Sequence, residues 1–174
     1  MNRLRWIIAS DIHGSAYYCE KLLEAFEKEK ADKIALLGDI LYHGPRNDLP
    51  QDYNPKKVAQ MLNGIKNRII CVKGNCDAEV DQLLLEFPIL SETAVLDNGT
   101  HAIYLTHGHK YNIDNPLPMQ QGDILIYGHT HVPLDEERDG IRYYNPGSVS
   151  IPKNMSSHGY MVFENGRFDF KALE

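Results

Sequence analysis

The chain predicts an α/β fold in which two mixed β-sheets face each other and helices lie outside them. Three observations predict it. In the first half, short apolar runs recur at roughly 30-residue intervals with amphipathic segments between them, the spacing of βαβ units. In the second half, alternating runs separated by Asn-Gly and Asp-Gly turn pairs replace the helices, as in antiparallel sheet. With 174 residues, 43% of them hydrophobic, the chain has the size and composition of one domain, residues 1–174, able to bury a sizeable core.

Taken in order, residues 4–9 form the first apolar run. Residues 15–30 read as a helix capped by Ser15, with Leu22, Leu23 and Phe26 turned inward. Residues 33–37 make the second strand. Residues 43–54 carry Pro and Gly without periodicity and read as a long loop, a type that is often functional. Asn54-Pro55 opens a second helix, Pro at its first position, with Val58, Met61, Leu62 and Ile65 on one face. Residues 69–72 are the third strand, followed by a short helix over about 78–86. Because the three strands are unbroken apolar runs, they are expected to be parallel and central.

Asn98-Gly99 marks a hairpin between two alternating runs, and residues 103–106, 123–127, 141–144, 160–163 and 167–171 follow as strands. Asp139-Gly140 and Asn165-Gly166 supply turns between the later ones.

The formal net charge of −6 disfavours binding to nucleic-acid polymers, which rests on many Lys and Arg contacts to phosphates. The three cysteines, Cys19, Cys71 and Cys76, form no CxxC pair and leave one over from any disulfide, the pattern of a reduced cytoplasmic protein. No stretch has the roughly 18 apolar residues of a membrane span, and no basic segment followed by an apolar one opens the chain.

Chemistry concentrates where predicted strands end. Asp11 and His13 follow the first, Asp39 the second and Asn75 the third; His107 follows residues 103–106, and His129 and His131 follow residues 123–127. The crevice beyond the carboxyl ends of strands is where open α/β sheets bind ligands. Residues two apart in extended backbone point the same way, so Asp11 with His13, and His129 with His131, are each expected to address one space. Neighbouring glycines allow tight turns beside them. Two carboxylates, one amide and four imidazoles suit two adjacent divalent metals, a centre that cleaves phosphate esters.

The ordered motifs Asp11-Ile12-His13, Gly38-Asp39 with His43-Gly44, Gly74-Asn75-Cys76-Asp77, His107-Gly108-His109 and Gly128-His129-Thr130-His131 resemble those of the calcineurin-like metallophosphoesterases. Within that family the chain looks like the bacterial YfcE-type phosphodiesterases, down to His43-Gly44-Pro45-Arg46-Asn47 and Asn145-Pro146-Gly147-Ser148, and the resemblance runs over essentially its whole length.

The resemblance implies that Asp11, His13 and His131 hold one metal, that Asn75, His107 and His129 hold the other, and that Asp39 bridges them. Mixed nitrogen and oxygen ligands suit Mn²⁺, Zn²⁺, Fe²⁺ or Ni²⁺, and family habit favours Mn²⁺. Two divalent cations, less two aspartates and a bridging hydroxide, leave a centre of charge near +1, which attracts a phosphodiester. Attack by the metal-acidified water needs no covalent phosphoenzyme.

The resemblance also implies a homo-oligomer and a small diester substrate. Most members carry a His where this chain has Cys76, and a thiol replaces an imidazole poorly as a leaving-group acid. His43 and His109 are the candidates to supply that acid. Arg46 is the loop cation placed to reach a substrate phosphate, and Asp77 is expected to orient the Asn75 loop or cap the segment after it. Two other readings compete: a protein-interaction scaffold like the eukaryotic vacuolar-protein-sorting relatives, and a phosphomonoesterase. All seven candidate ligands are present, which favours a hydrolase over a scaffold.

Overall fold

The computed structural model describes residues 4–97 and 100–173. The first half follows the βαβ expectation. Strand β1 (Trp6–Ala9) leads to helix α1 (Ala16–Lys28), β2 (Lys33–Leu36), helix α2 (Pro55–Asn63) and β3 (Ile69–Cys71). β1, β2 and β3 pair in parallel, with Ile8 beside Ala35 and Ala35 beside Ile70. Ser15 caps α1 by accepting the N–H of Tyr18 at 3.2 Å, and Asn54 caps α2 by accepting that of Lys57 at 3.1 Å.

The remaining strands are β4 (Thr93–Asp97), β5 (Ala102–Thr106), β6 (Ile124–Ile126), β7 (Leu134–Arg138), β8 (Ile141–Asn145), β9 (Gly159–Glu164) and β10 (Arg167–Ala172). Two mixed five-stranded sheets result, ordered β10-β9-β1-β2-β3 and β4-β5-β6-β8-β7. The chain therefore does not divide into an α/β half and a β half: β9 returns to pair antiparallel with β1.

Side-chain alternation explains why the early strands are apolar throughout. Ile7, Ile34 and Leu36 face the helices, packing with Leu22, Phe26, Val58 and Leu62. Ile8, Ala35 and Leu37 point the other way, into a layer shared with Ile103, Leu105 and Ile126 of the second sheet. Each aliphatic side chain so buried contributes roughly 1.5–3 kcal/mol, so the two layers together fix the sheets' relative position. The outer face of the second sheet, Leu125, Tyr127 and Tyr143, is covered by Ile113, Leu117 and Met119 from an irregular segment, while both described helices lie on the first sheet.

Two expectations are corrected, and one strand is added to them. β3 is an edge strand, with Ile69 and Ile70 half-buried and its outer backbone edge without a neighbour among the described strands. The helix expected over 78–86 is only a 3₁₀ turn at Asp81–Leu83. There the Gln82 side chain donates to the carbonyls of Leu85 and Phe87 and accepts the N–H of Ile89, so it competes with a helical backbone for its partners. β7 was not foreseen, because its sequence, Leu-Asp-Glu-Glu-Arg, lacks an apolar face. It is an edge strand whose charges stay in water. The Asn98-Gly99 turn lies outside the described residues, although β4 and β5 do pair antiparallel on either side of it.

Candidate metal centre

The strands β1, β2, β3, β5 and β6 end at one rim, and the segments after them bring Asp11, His13, Asp39, Asn75, His107, His129 and His131 together. They do so in an unexpected backbone conformation. Asp11, His13, Asp39, His129 and His131 all have left-handed φ, between 49° and 65°. The pairs two apart are therefore not extended, and their convergence comes from the chain doubling back. Residues held in this sparsely populated region cost of order 1 kcal/mol each and persist where surrounding contacts enforce them.

Those contacts are visible. Asp77, buried, accepts the N–H of Asp39 at 2.8 Å, of Ile40 at 2.9 Å and of Gly74 at 2.7 Å, tying the β2 and β3 loops together. It thus braces the Asn75 loop rather than capping the segment that follows. Gly74 permits that closeness, because a Cβ there would run into the backbone nitrogen and carboxylate of Asp39. Asp11 accepts the N–H of His129 at 3.0 Å, which joins the β1 and β6 loops.

Three imidazoles are oriented alike. Nδ1 of His13 donates to the Tyr42 carbonyl at 2.8 Å, that of His107 to Leu37 at 2.7 Å and that of His131 to Ile151 at 2.6 Å. Each Nε2 therefore faces the centre, the arrangement by which carbonyls fix metal-binding tautomers. Nε2 of His13 and of His131 lie 3.2 Å apart, and Asp11 Oδ1 is 3.5 Å from the first and 3.2 Å from the second. His107 Nε2 is 2.9 Å from Asn75 Oδ1 and 3.3 Å from Asp39 Oδ2, while that same Asp39 oxygen is 3.7 Å from His13.

Three close-set donor groups result: Asp11 with His13 and His131, Asp11 with Asp39 and His107, and His13 with Asp39 and Cys76. His129 lies beside them, its ring 5.1 Å from that of His107.

Residues 4–166 match the model of the calcineurin-like phosphoesterase superfamily domain. The chain belongs to that family. It is 46% identical to the phosphodiesterase YfcE of Escherichia coli strain K12 over 170 residues, covering 98% of this chain and 92% of that one. The solved structure of YfcE, a phosphoesterase from E. coli, superimposes with a TM-score of 0.96 at 44% identity, covering 98% of this chain and 94% of that chain. Vacuolar protein sorting 29 of Cryptosporidium parvum shares the fold alone, at a TM-score of 0.62 and 17% identity, covering 97% of this chain and 96% of that one.

Metallophosphoesterases use divalent metals, and the residues of this centre fit such ions. Asp11 Oδ1 is buried and accepts no hydrogen bond among the described residues, yet imidazole nitrogens surround it. Burial works to raise the Asp11 carboxyl, and the imidazoles of His13 and His131 outweigh it, holding it well below the usual carboxylate range. Burial likewise works to lower His107, but the Asp39 and Asp11 carboxylates outweigh it and push it up to about 9. His13 is raised too, against its burial, chiefly by Asp11. Without metal, protons are thus held where cations would sit.

A cleft of about 500 Å³ opens onto this centre. Arg46 and Cys76 line it, as does Lys153, which sequence reasoning missed because only tertiary structure carries that segment to the rim. The Cys76 thiol is pushed up to about 12 by burial and by the neighbouring Asp39 carboxylate. His109 is exposed, its ring 6.2 Å from that of His129. His43 packs edge-on against Tyr42 and Tyr53, with Nδ1 buried and without a partner among the described residues, and neither it nor His109 lines the cleft.

Proposed function

We propose that the chain is a binuclear, metal-dependent phosphodiesterase acting on a small phosphodiester. The observation that carries this reading is the convergence of close-set donor groups in which Asp39 stands between His13 and His107. In this reading Asp11, His13 and His131 would hold one ion, Asn75, His107 and His129 the other, and Asp39 would serve both. When bound, the two ions, Mn²⁺ in preference to Zn²⁺, Fe²⁺ or Ni²⁺, supply Lewis acidity and an acidified water for in-line attack on phosphorus.

The protein's own residues do the rest. Asp77 holds the Asp39 and Gly74 backbones in place, and three carbonyls fix the imidazole tautomers. No covalent phosphoenzyme is needed in this reading, since the attacking group is a water and not a side chain. Cys76 stands where most members of the family carry an imidazole, and a thiol is the poorer acid, so leaving-group protonation is weak and diesters with good leaving groups react best. His109, beside His129, is better placed than His43 to supply a proton; neutral kinetics on His109→Ala would remove it from that role.

The single metallophosphoesterase domain is read as a cytoplasmic homo-oligomer, in line with its free cysteines. No described helix is long and apolar enough to cross a membrane. The net charge of −6 speaks against nucleic-acid polymers as substrates.

The test is hydrolysis of bis-p-nitrophenyl phosphate by metal-stripped protein, with Mn²⁺ restored and His129→Ala as control. Turnover that returns with Mn²⁺ and disappears in the variant is expected. Absence of turnover with every divalent metal would overturn the reading and favour an interaction scaffold.

A further inference from the structure

Arg46 and Lys153 stand out because both line the cleft of the candidate metal centre without a side-chain partner among the described residues. Every other arginine among the described residues, Arg5, Arg68, Arg138, Arg142 and Arg167, has a carboxylate within salt-bridge distance. Arg46 has none among the described residues, and its side chain makes no hydrogen bond there; the same holds for Lys153. Both are exposed, and both line the cleft that opens onto the candidate metal centre.

Their backbones, by contrast, are braced. Arg46 sits in a turn closed by the Asn47 N–H to the Gly44 carbonyl at 3.4 Å and by the Asn47 amide to the His43 carbonyl at 2.8 Å. Lys153 donates its N–H to the carbonyl of His131 at 3.1 Å, and its own carbonyl accepts Ser156 Oγ at 2.7 Å. Just beyond it, Asn154 and Met155 both have left-handed φ, 55° and 59°, and Met155 is fully exposed. A methionine held there gains no burial in return for the strain, so the conformation is set by the segment's attachment to the rim. Two cations rooted on braced backbones, without side-chain partners among the described residues, are available to an anion that enters the cleft.

Charge decides which anion. The metal centre is near +1 when loaded, and a phosphodiester carries about one negative charge, so the reacting group alone neutralises it. Two further positive charges remain on the cleft wall. We propose that Arg46 and Lys153 form a second anion subsite, which selects phosphodiesters whose esterifying alcohol bears an additional carboxylate or phosphate. This inference rests on the phosphodiesterase reading of the centre and names its substrate class.

A matched series of p-nitrophenyl diesters tests it: the propyl, the 2-carboxyethyl and the choline ester, which differ in the charge of the second arm. The expected order of kcat/KM is carboxyethyl above propyl above choline. The carboxyethyl-to-propyl ratio should fall about threefold in Arg46→Ala or Lys153→Ala and about tenfold in the double variant, as for partly screened ion pairs. It should also shrink with added salt.

Calorimetric binding of methyl 2-carboxyethyl phosphate against methyl propyl phosphate, to the Mn²⁺-loaded protein, reads the same preference without turnover. Equal kcat/KM for the carboxyethyl and propyl esters, or a ratio untouched in the double variant, overturns the subsite while leaving the phosphodiesterase intact. Failure to hydrolyse any diester overturns the activity instead, and the calorimetric preference then still decides whether the two cations hold an anion.

Discussion

Nε2 of His13 and Nε2 of His131 face each other at 3.2 Å across 118 positions of sequence. Each ring's other nitrogen is already engaged with a backbone carbonyl, so this contact has room only for a shared proton or a shared cation.

Metal affinity should therefore rise with pH. Both His13 and His107 are raised from the ordinary imidazole value, so they keep their protons to higher pH and a metal must displace them. Each displaced proton steepens log K by up to about one per pH unit while its imidazole remains protonated, for His107 up to about pH 9. Mn²⁺ titrations between about pH 6.5 and 8.5, with proton release followed in weak buffer, check this. A pH-independent affinity without proton release would contradict it.

Asp77→Ala removes the acceptor of three backbone N–H groups. The expected loss is about 3 kcal/mol of stability in the metal-free protein, with Asp77→Asn, which keeps one oxygen, falling between the two. Urea unfolding measures it. A loss below about 1 kcal/mol would mean that water replaces the carboxylate and that the loops are less tightly tied.

Gly74→Ala and Gly166→Ala separate space from conformation. At Gly74 a Cβ meets Asp39, so the substitution should cost about 2 kcal/mol and weaken Mn²⁺ binding at the displaced carboxylate. At Gly166, φ is +78° with nothing within 4 Å of the added atom, so only backbone strain of about 1 kcal/mol is expected, with activity unchanged. Equal effects of the two on metal affinity would refute the steric account.

The cysteines should be silent in the folded, metal-free protein. Burial pushes Cys19 up to about 12, raises Cys71 well above its ordinary value and, with Asp39, pushes Cys76 up to about 12. A thiol reagent at about pH 8 should react slowly until urea is added, and then with all three thiols. Unfolding frees thiols that ionise near pH 8.5–9, so this contribution to stability is fully present below about pH 8.5 and is lost as pH rises toward 12. Rapid labelling of Cys76 in the native protein would show its thiolate to be accessible.

Much of this was legible in sequence because it is local. Apolar runs identify β1, β2 and β3, since both faces of the first two are buried and the third is half-buried, and Ser15 and Asn54 announce the helix starts. The candidate ligands are legible because each must follow a strand to reach the rim, as Asp11, Asp39 and His107 do. The helix expected over 78–86 failed because a single side chain, Gln82, captures the backbone partners a helix needs. β7 went unseen because an edge strand with wet faces carries no apolar pattern.

By itself, then, the sequence determined which residues form the early strands and helices, and which chemical groups stand at their ends. These are properties of spacing and burial within a few turns of chain. Only the tertiary structure decided that β9 returns to β1, that five of the seven candidate ligands adopt left-handed backbone, and that Lys153 joins Arg46 on one cleft. Those outcomes depend on contacts between residues more than a hundred positions apart, such as Asp11 with His129 and Ser148, whose energies no local pattern records.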